Sequence, residues 1–282
     1  MNIVLISGNF QAACKLNVCL PVILFFTLFF FACDTPERGC TDPNAPNYNP
    51  TAERNDGSCI YPIKEKKVLM VMFNNTDNST CGTFGIPLFN NALVANTSKV
   101  IPLVAHPSST DTLYCGKAVN LAAGFNQTGY PDIAAGLQTN LLTLNLINDA
   151  ISESAIIEPV AGSSADMQLQ GDSIIITLYA KFYTSAIGEY YVSAYLYEQN
   201  IDLPQAGIID PSFRHNYVLR ESSSTSAFGD LIAASGISDR TSFKRRYGIF
   251  KQANWNYANM RVISAIWKRE GGQFVFINAS SQ

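Results

Sequence analysis

The spacing of apolar residues changes once along this chain, close to Ile156. Before that position, strand-like runs such as "KVLMVMF" and "KVIPLVAH" alternate with helix-like runs such as "GIPLFNNALVAN". After it the period becomes two, as in "DSIIITLYAKFY", with Gly, Ser and Asn turns between the runs. Alternating strands and helices indicate βαβ units, and repeated short strands indicate an antiparallel sandwich. We therefore predict an α/β domain at 63–155 followed by an all-β sandwich at 156–282.

An apolar run near the N-terminus predicts export. "VCLPVILFFTLFFFAC" ends at Cys33 and is shorter than the roughly 20 residues of a membrane-spanning helix, but it suits the core of a signal peptide. Its Ala-Cys ending resembles a bacterial lipobox, in which residues 1–32 are removed and Cys33 is lipidated. The alternative is an ordinary secretory signal cut nearby. The lipobox predicts an outer-membrane lipoprotein of the cell envelope, held to the membrane by its lipid.

Cysteine counting points to disulfides. The chain has seven cysteines, and signal removal and lipidation leave Cys40, Cys59, Cys81 and Cys115. An even number in an oxidising compartment predicts bridges, and four cysteines allow three pairings. The pairing nearest in sequence joins Cys40 to Cys59 and Cys81 to Cys115.

The segment 33–62 is rich in Pro, Asn, Asp and Gly and has no hydrophobic period, so we expect a solvated, disulfide-stapled module. Its oxygen donors, among them Asp42, Asn44 and Asp56, are of the kind that Ca²⁺ binds, although their spacing is not that of an EF-hand.

No cofactor is predicted. A charged fraction of 15% and a net charge of -3 argue against nucleic-acid binding.

Three residues are expected to meet at one edge of the α/β sheet. Cys81 follows the first strand and begins a helix, His106 ends the second strand, and Pro131 in "TGYP" begins the third. Unpaired N–H groups at a helix N-terminus lower the pKa of a thiol. His106 would either tune that thiolate or be hydrogen-bonded at its strand end. "TGYP" is a place where a cis proline commonly lies.

This order of strand, "CGTF", helix, strand, helix, "GYP" and strand resembles the thioredoxin fold. "VIPLVAHPS", "DTLYCGKAVNLAAGF" and "TGYPDIAAGL", with a later "HNYVLRE", resemble the outer membrane protein 28-related family of exported lipoproteins over roughly Lys66 to Ser280. The resemblance implies a thioredoxin-like domain followed by an immunoglobulin-like (Ig-like) β-sandwich at the cell envelope. It implies no established reaction.

The chain departs from a working dithiol site. Such a site reads Cys-x-x-Cys, and here Phe84 occupies the fourth position, so Cys81 has no local thiol to resolve a mixed disulfide. Cys115 is the remaining candidate. Cys81 and Cys115 are therefore a structural disulfide, a redox pair or two unpaired thiols.

The altered motif favours binding or scaffolding over catalysis, and the faces and edges of the predicted sandwich suit recognition of an envelope protein or a glycan. The competing hypothesis is a thiol-disulfide oxidoreductase or peroxidase that uses Cys81 with Cys115. His215 is predicted to form an exposed pair with Arg214. Four tyrosines would either line a binding surface or pack between sheets: Tyr190, Tyr191, Tyr195 and Tyr197.

Overall fold

The computed structural model describes residues 35–45, 47–136 and 138–281. The predicted signal and Cys33 lie outside the described residues. Within those residues, no helix is both long enough and apolar enough to cross a membrane. The strands are β1 (Arg38–Gly39), β2 (Arg54–Asn55), β3 (Val68–Phe73), β4 (Val100–Ala105), β5 (Asp132–Ala135), β6 (Ala161–Gln170), β7 (Ser173–Phe182), β8 (Ala186–Ile187), β9 (Glu189–Glu198), β10 (Ile201–Asp202), β11 (Arg214–His215), β12 (Val218–Ser222), β13 (Asp230–Ala233), β14 (Gly236–Ile237), β15 (Ser242–Phe250), β16 (Met260–Glu270) and β17 (Gln273–Ser281). The helices are a π-helical turn (Cys81–Gly85), α1 (Ile86–Ala95), α2 (Gly116–Gly124), α3 (Leu144–Ala155) and a 3₁₀ turn (Tyr257–Asn259).

The α/β half follows the predicted alternation of strands and helices. β3 pairs in parallel with β4, with Val68 opposite Val100, as expected for a βαβ unit. β5 pairs antiparallel on the other side of β3. Every residue of β3 is buried, because the strand is central and both of its faces are covered.

One sheet connects the two halves of the chain. Its strand order is β17-β16-β9-β12-β4-β3-β5, and β13 also pairs with β9. β12 is antiparallel to β9 on one side and parallel to β4 on the other, where Val104 N donates to Tyr217 O at 2.8 Å. The sheet therefore continues across the boundary that the sequence predicts near residue 155, and the described residues from Pro36 onward form one compact unit.

Each face of this sheet has its own apolar core. On one face α2 contributes Ala118 and Leu121 to a core that also holds Trp267 of β16. On the other face α1 and α3 cover β3, β4 and β5. Next to them a three-stranded sheet, in the order β15-β7-β6, packs face to face on β9 and β16. The fold is thus mixed α/β and rich in strand, as the sequence predicts at that level.

The segment after Cys33 is held against the body of the protein. Its Cys40–Cys59 disulfide is present, which confirms that pairing. Most of the described residues of this segment are exposed or half-buried, while Cys40 and Ala45 are buried. Tyr179 Oη of β7 donates to Pro43 O at 2.6 Å, so the closed loop docks on the three-stranded sheet.

The candidate calcium ligands make local hydrogen bonds. Asp42 accepts from Asn44 N at 2.8 Å and from Tyr61 Oη at 2.7 Å, and Asp56 accepts from Ser58 N at 2.9 Å. In the described part of the chain, no group of three or more His, Cys, Asp or Glu side chains is placed to hold a metal ion. Calcium binding here stays the untested alternative to a disulfide-stapled spacer.

Candidate functional site

Cys81 lies just after β3, at the carboxyl end of that strand, and its side chain is fully buried. Its backbone N–H is already satisfied, because it donates to both the carbonyl and the side-chain oxygen of Asn78 at 3.1 Å. The residue therefore lies inside a capped first turn and not in front of unpaired N–H groups.

Two glycines let other backbone segments approach the cysteine closely. A Cβ atom on Gly85 would stand 2.6 Å from Pro131 Cβ, so the start of β5 packs directly on the π-helical turn. The Tyr130–Pro131 peptide is cis, at the place the sequence indicates. A Cβ atom on Gly82 would stand 2.1 Å from Ala206 O, a backbone atom of the β half. Both contacts need a residue without a side chain.

The segment 203–208, which we call the capping loop, covers this end of the sheet. Gln205 is buried, and its Nε2 donates to the carbonyls of Asn75, Thr76 and Asn78 at 3.2 to 3.3 Å. Ala206 N donates to Thr76 O at 2.8 Å. One amide side chain thus satisfies several carbonyls of the turn that leads into Cys81, and the loop packs on that turn.

The cysteine is not activated. Burial raises the pKa of Cys81 to about 11, with a further upward contribution from the negative charge of Asp111. The expectation of a lowered pKa is wrong, because the loss of water around the buried thiol outweighs the backbone hydrogen bond from Asn75, which lowers the pKa. At neutral pH the side chain is a thiol and not the nucleophilic thiolate.

The disulfide between Cys81 and Cys115, predicted from their nearness in sequence, is also wrong, since both are free, buried thiols. The helices that follow them cover opposite faces of the sheet, α1 with Met70 and α2 with Val71. Cys115 Sγ instead donates to Arg220 O of β12 at 3.3 Å. Burial raises the pKa of Cys115 as well.

His106 belongs to a buried polar group at the same edge. Its Nδ1 lies 2.7 Å from Asp111 Oδ2, and both side chains are buried. Asp111 also accepts from Thr76 N and Leu113 N at 2.9 and 2.8 Å. Burial alone would raise the pKa of Asp111, but hydrogen bonding and attraction to His106 lower it to about 2. His106 is therefore bonded to a carboxylate and not to Cys81.

Sequence reasoning missed His215. It was predicted to be exposed beside Arg214, yet its ring is buried, 6.2 Å from the ring of His106 and 4.9 Å from that of Phe213. Burial lowers the pKa of His215 to about 4, helped by the charge of His106. Its Nε2 and that of His106 are buried without a hydrogen-bond partner. The sequence does contain one signal for this burial: in "FRHNYV", His215 alternates with Arg214 and Asn216 and shares a strand face with Phe213 and Tyr217.

A pocket of about 370 Å³ opens beside His215, and its wall includes Asn74, Phe89, Phe213 and Tyr217. Cys81 is not part of this wall, so the pocket gives no access to the thiol.

Three of the four candidate surface tyrosines, Tyr190, Tyr195 and Tyr197, are buried, and Tyr191 is half-buried. They pack inside the protein.

Solved structures supply the comparisons. HBP35 of Porphyromonas gingivalis is similar to this chain with a TM-score of 0.65 at 16% identity, covering 79% of this chain and 76% of that one. This similarity shows a shared fold and nothing more. A domain of the outer membrane lipoprotein Omp28 from the same organism covers 45% of this chain and 88% of its own at 11% identity. Its TM-score of 0.28 is too low to argue from.

A scan against protein-family models found no match. A search of curated proteins found none either.

We expect both free thiols to resist modification in the native protein. A soluble maleimide should label Cys81 and Cys115 only after unfolding. Replacing Gln205 by Ala removes the amide that anchors the capping loop, so Cys81 should then be labelled at least about tenfold faster, with peptide mapping by mass spectrometry to distinguish the two cysteines. Gln168→Ala changes an exposed glutamine on β6 and serves as the control. Rapid labelling of wild-type Cys81 would contradict its burial.

We expect the His215 ring to stay neutral to about pH 4. Its pKa is lower in the folded than in the unfolded protein, so the unfolded chain binds the extra proton as the pH falls from about 6.5 to 4. The stabilisation is complete above pH 6.5 and is lost as the pH falls through about 4, at a cost of about 3 kcal/mol. With two histidines in the chain, NMR titration of the ring protons measures this directly, and His215→Gln assigns the signals. A midpoint near 6.5 for His215 would contradict its burial.

Proposed function

We propose that this chain is a lipid-anchored protein of the bacterial cell envelope in which a thioredoxin-like α/β half has lost redox activity. Together with an Ig-like β half it acts as a binding or scaffolding unit. The observation that carries the proposal is the state of Cys81, a buried thiol with a raised pKa under the capping loop.

Thiol-disulfide chemistry needs three things that the Cys81 environment lacks. The attacking sulfur must be a thiolate, but the pKa of Cys81 is about 11. A second thiol must resolve the mixed disulfide, but Phe84 holds that position in the motif and Cys115 is buried at the start of α2, on the far face of the sheet. The substrate must also reach the sulfur, but Cys81 is fully buried, and Ala206 and Gln205 pack on the turn that leads into it.

Two features support an exported protein. The apolar run that ends at Cys33 has the length of a signal-peptide core and the Ala-Cys ending of a lipobox. The Cys40–Cys59 disulfide is of the kind that persists in oxidising compartments. A lipid on Cys33 would leave this disulfide-closed loop directly next to the membrane anchor.

An envelope protein or a glycan is the proposed partner. β15 forms an edge of the three-stranded sheet, where an extended chain can pair with its free backbone groups. The strand presents Lys244, Arg246 and Phe250 to solvent, so it offers two cations and one aromatic ring on the exposed side.

The proposed loss of redox activity is tested by insulin reduction. The mature protein with dithiothreitol should reduce insulin no faster than dithiothreitol alone, and Cys81→Ser should be indistinguishable from wild type. Activity above background that disappears in Cys81→Ser, and also in Cys115→Ser, would establish the competing oxidoreductase instead.

The lipid anchor is tested by metabolic labelling. In a bacterial host fed an alkyne analogue of palmitate, we expect the wild-type protein to carry the label and to sediment with membranes. Cys33→Ser should lose both properties, because it removes the thiol that is lipidated. Cys19→Ser, a change within the same apolar run, should retain both. Labelling that survives Cys33→Ser would contradict this anchor.

A further inference from the structure

A second pocket lies at the opposite end of β3 from Cys81. It has a volume of about 400 Å³ and opens between the end of α3, the segment that precedes β3, and β17. Volumes of roughly 300 to 1,000 Å³ are typical of small-molecule sites. Its wall is mainly apolar and includes Ala135, Ala150, Ile157, Pro159 and Val160.

One lysine stands in this wall without an acidic partner. Lys66 Nζ donates to Ile277 O and lies 4.8 Å from the centre of the Phe276 ring, and both of those residues also line the pocket. The flanking lysines differ, since Lys64 pairs with Glu158 and Lys67 with Glu65. In the described part of the chain, Lys66 therefore has a carbonyl and an aromatic face but no carboxylate.

The position of Lys66 is fixed by the backbone on both sides of it. Asn278 of β17 is buried, and its Nδ2 donates to Glu65 O at 3.1 Å while its side-chain oxygen accepts from Lys67 N at 3.0 Å. The charged segment "IKEKK" at 63–67 is thus attached to the β half. The ammonium group is held at the pocket wall and does not extend freely into water.

The acidic residues of the pocket have other partners. Glu158 is paired with Lys64, and Glu153 accepts from Gln138 Nε2 at 2.6 Å. Both carboxylates are exposed, whereas burial of Lys66 lowers its pKa to about 8. A partly buried ammonium with an unfilled donor capacity favours a bound anion.

We propose that this pocket binds a small amphipathic carboxylate, with its carboxylate on Lys66 Nζ and its hydrocarbon chain against the apolar wall. The charge of Lys66 selects the anionic head, and the lining by Ala150, Ile157 and Val160 selects an apolar tail. The proposal goes beyond the binding role proposed above and does not depend on the state of Cys81.

Isothermal titration calorimetry with octanoate and octanol tests the site on the mature protein. Octanoate should bind at least about tenfold more tightly than octanol, since only the acid can pair with the ammonium. Lys66→Met keeps the length of the side chain and removes its charge, so the preference for octanoate should disappear while octanol binds as before. Lys67→Met, a matched change at the next residue, should keep the preference, because Lys67 and its partner Glu65 are not part of the pocket wall.

A third variant separates the head from the tail of the ligand. Ile157 is exposed at the rim, so Ile157→Ser should leave folding intact and weaken octanoate and octanol alike. Equal affinity of the two ligands for the wild type would overturn the proposal. So would an octanoate affinity that Lys66→Met leaves unchanged, or a wild type that binds neither ligand.

Discussion

The structure depends on the position of β12 between two strands from different halves of the chain. Its antiparallel pairing with β9 and its short parallel pairing with β4 join the two halves into one sheet. The bond from Val104 N to Tyr217 O closes that junction. The core on the face covered by α2 then extends across it, because Phe125 of the α/β half packs on Trp267 of the β half with ring centres 5.9 Å apart. Burial of such large aromatic rings is a major stabilising term.

The junction also determines which segment packs on the Cys81 turn of the α/β half. β12 pairs with β4 near the carboxyl end of β4. The capping loop, which precedes β11 and β12 in the chain, therefore passes over the turn that leads into Cys81. Gln205 bonds to that turn and Ala206 packs on Gly82. A cysteine, a cis proline and a histidine–aspartate pair remain together at the sheet edge, and all of them are buried. The proposed loss of redox activity therefore rests on tertiary packing around Cys81 as well as on Phe84 in place of a second cysteine.

Local patterns predicted the elements well and their long-range contacts poorly. The apolar run of β3, the parallel pairing with β4 and the Cys40–Cys59 bridge all follow from residues close together in the chain. The raised pKa of Cys81 does not, because it comes from burial in the folded protein and from the charge of Asp111, which lies beyond the next strand in the sequence. His215 looks exposed beside Arg214 and is buried only because its strand folds back towards His106. The Cys81–Cys115 pairing failed because nearness in sequence says nothing about which face a helix covers.

One unfolding experiment tests the continuity of the two halves most directly. Trp255 and Trp267 both lie in the β half, and the free thiols of Cys81 and Cys115 lie in the α/β half. Urea titration read by tryptophan fluorescence and by brief thiol labelling of the same samples therefore follows each half separately. A continuous sheet and a shared core predict one transition with coincident midpoints. Two separated transitions, with both thiols labelled before the fluorescence changes, would contradict the account.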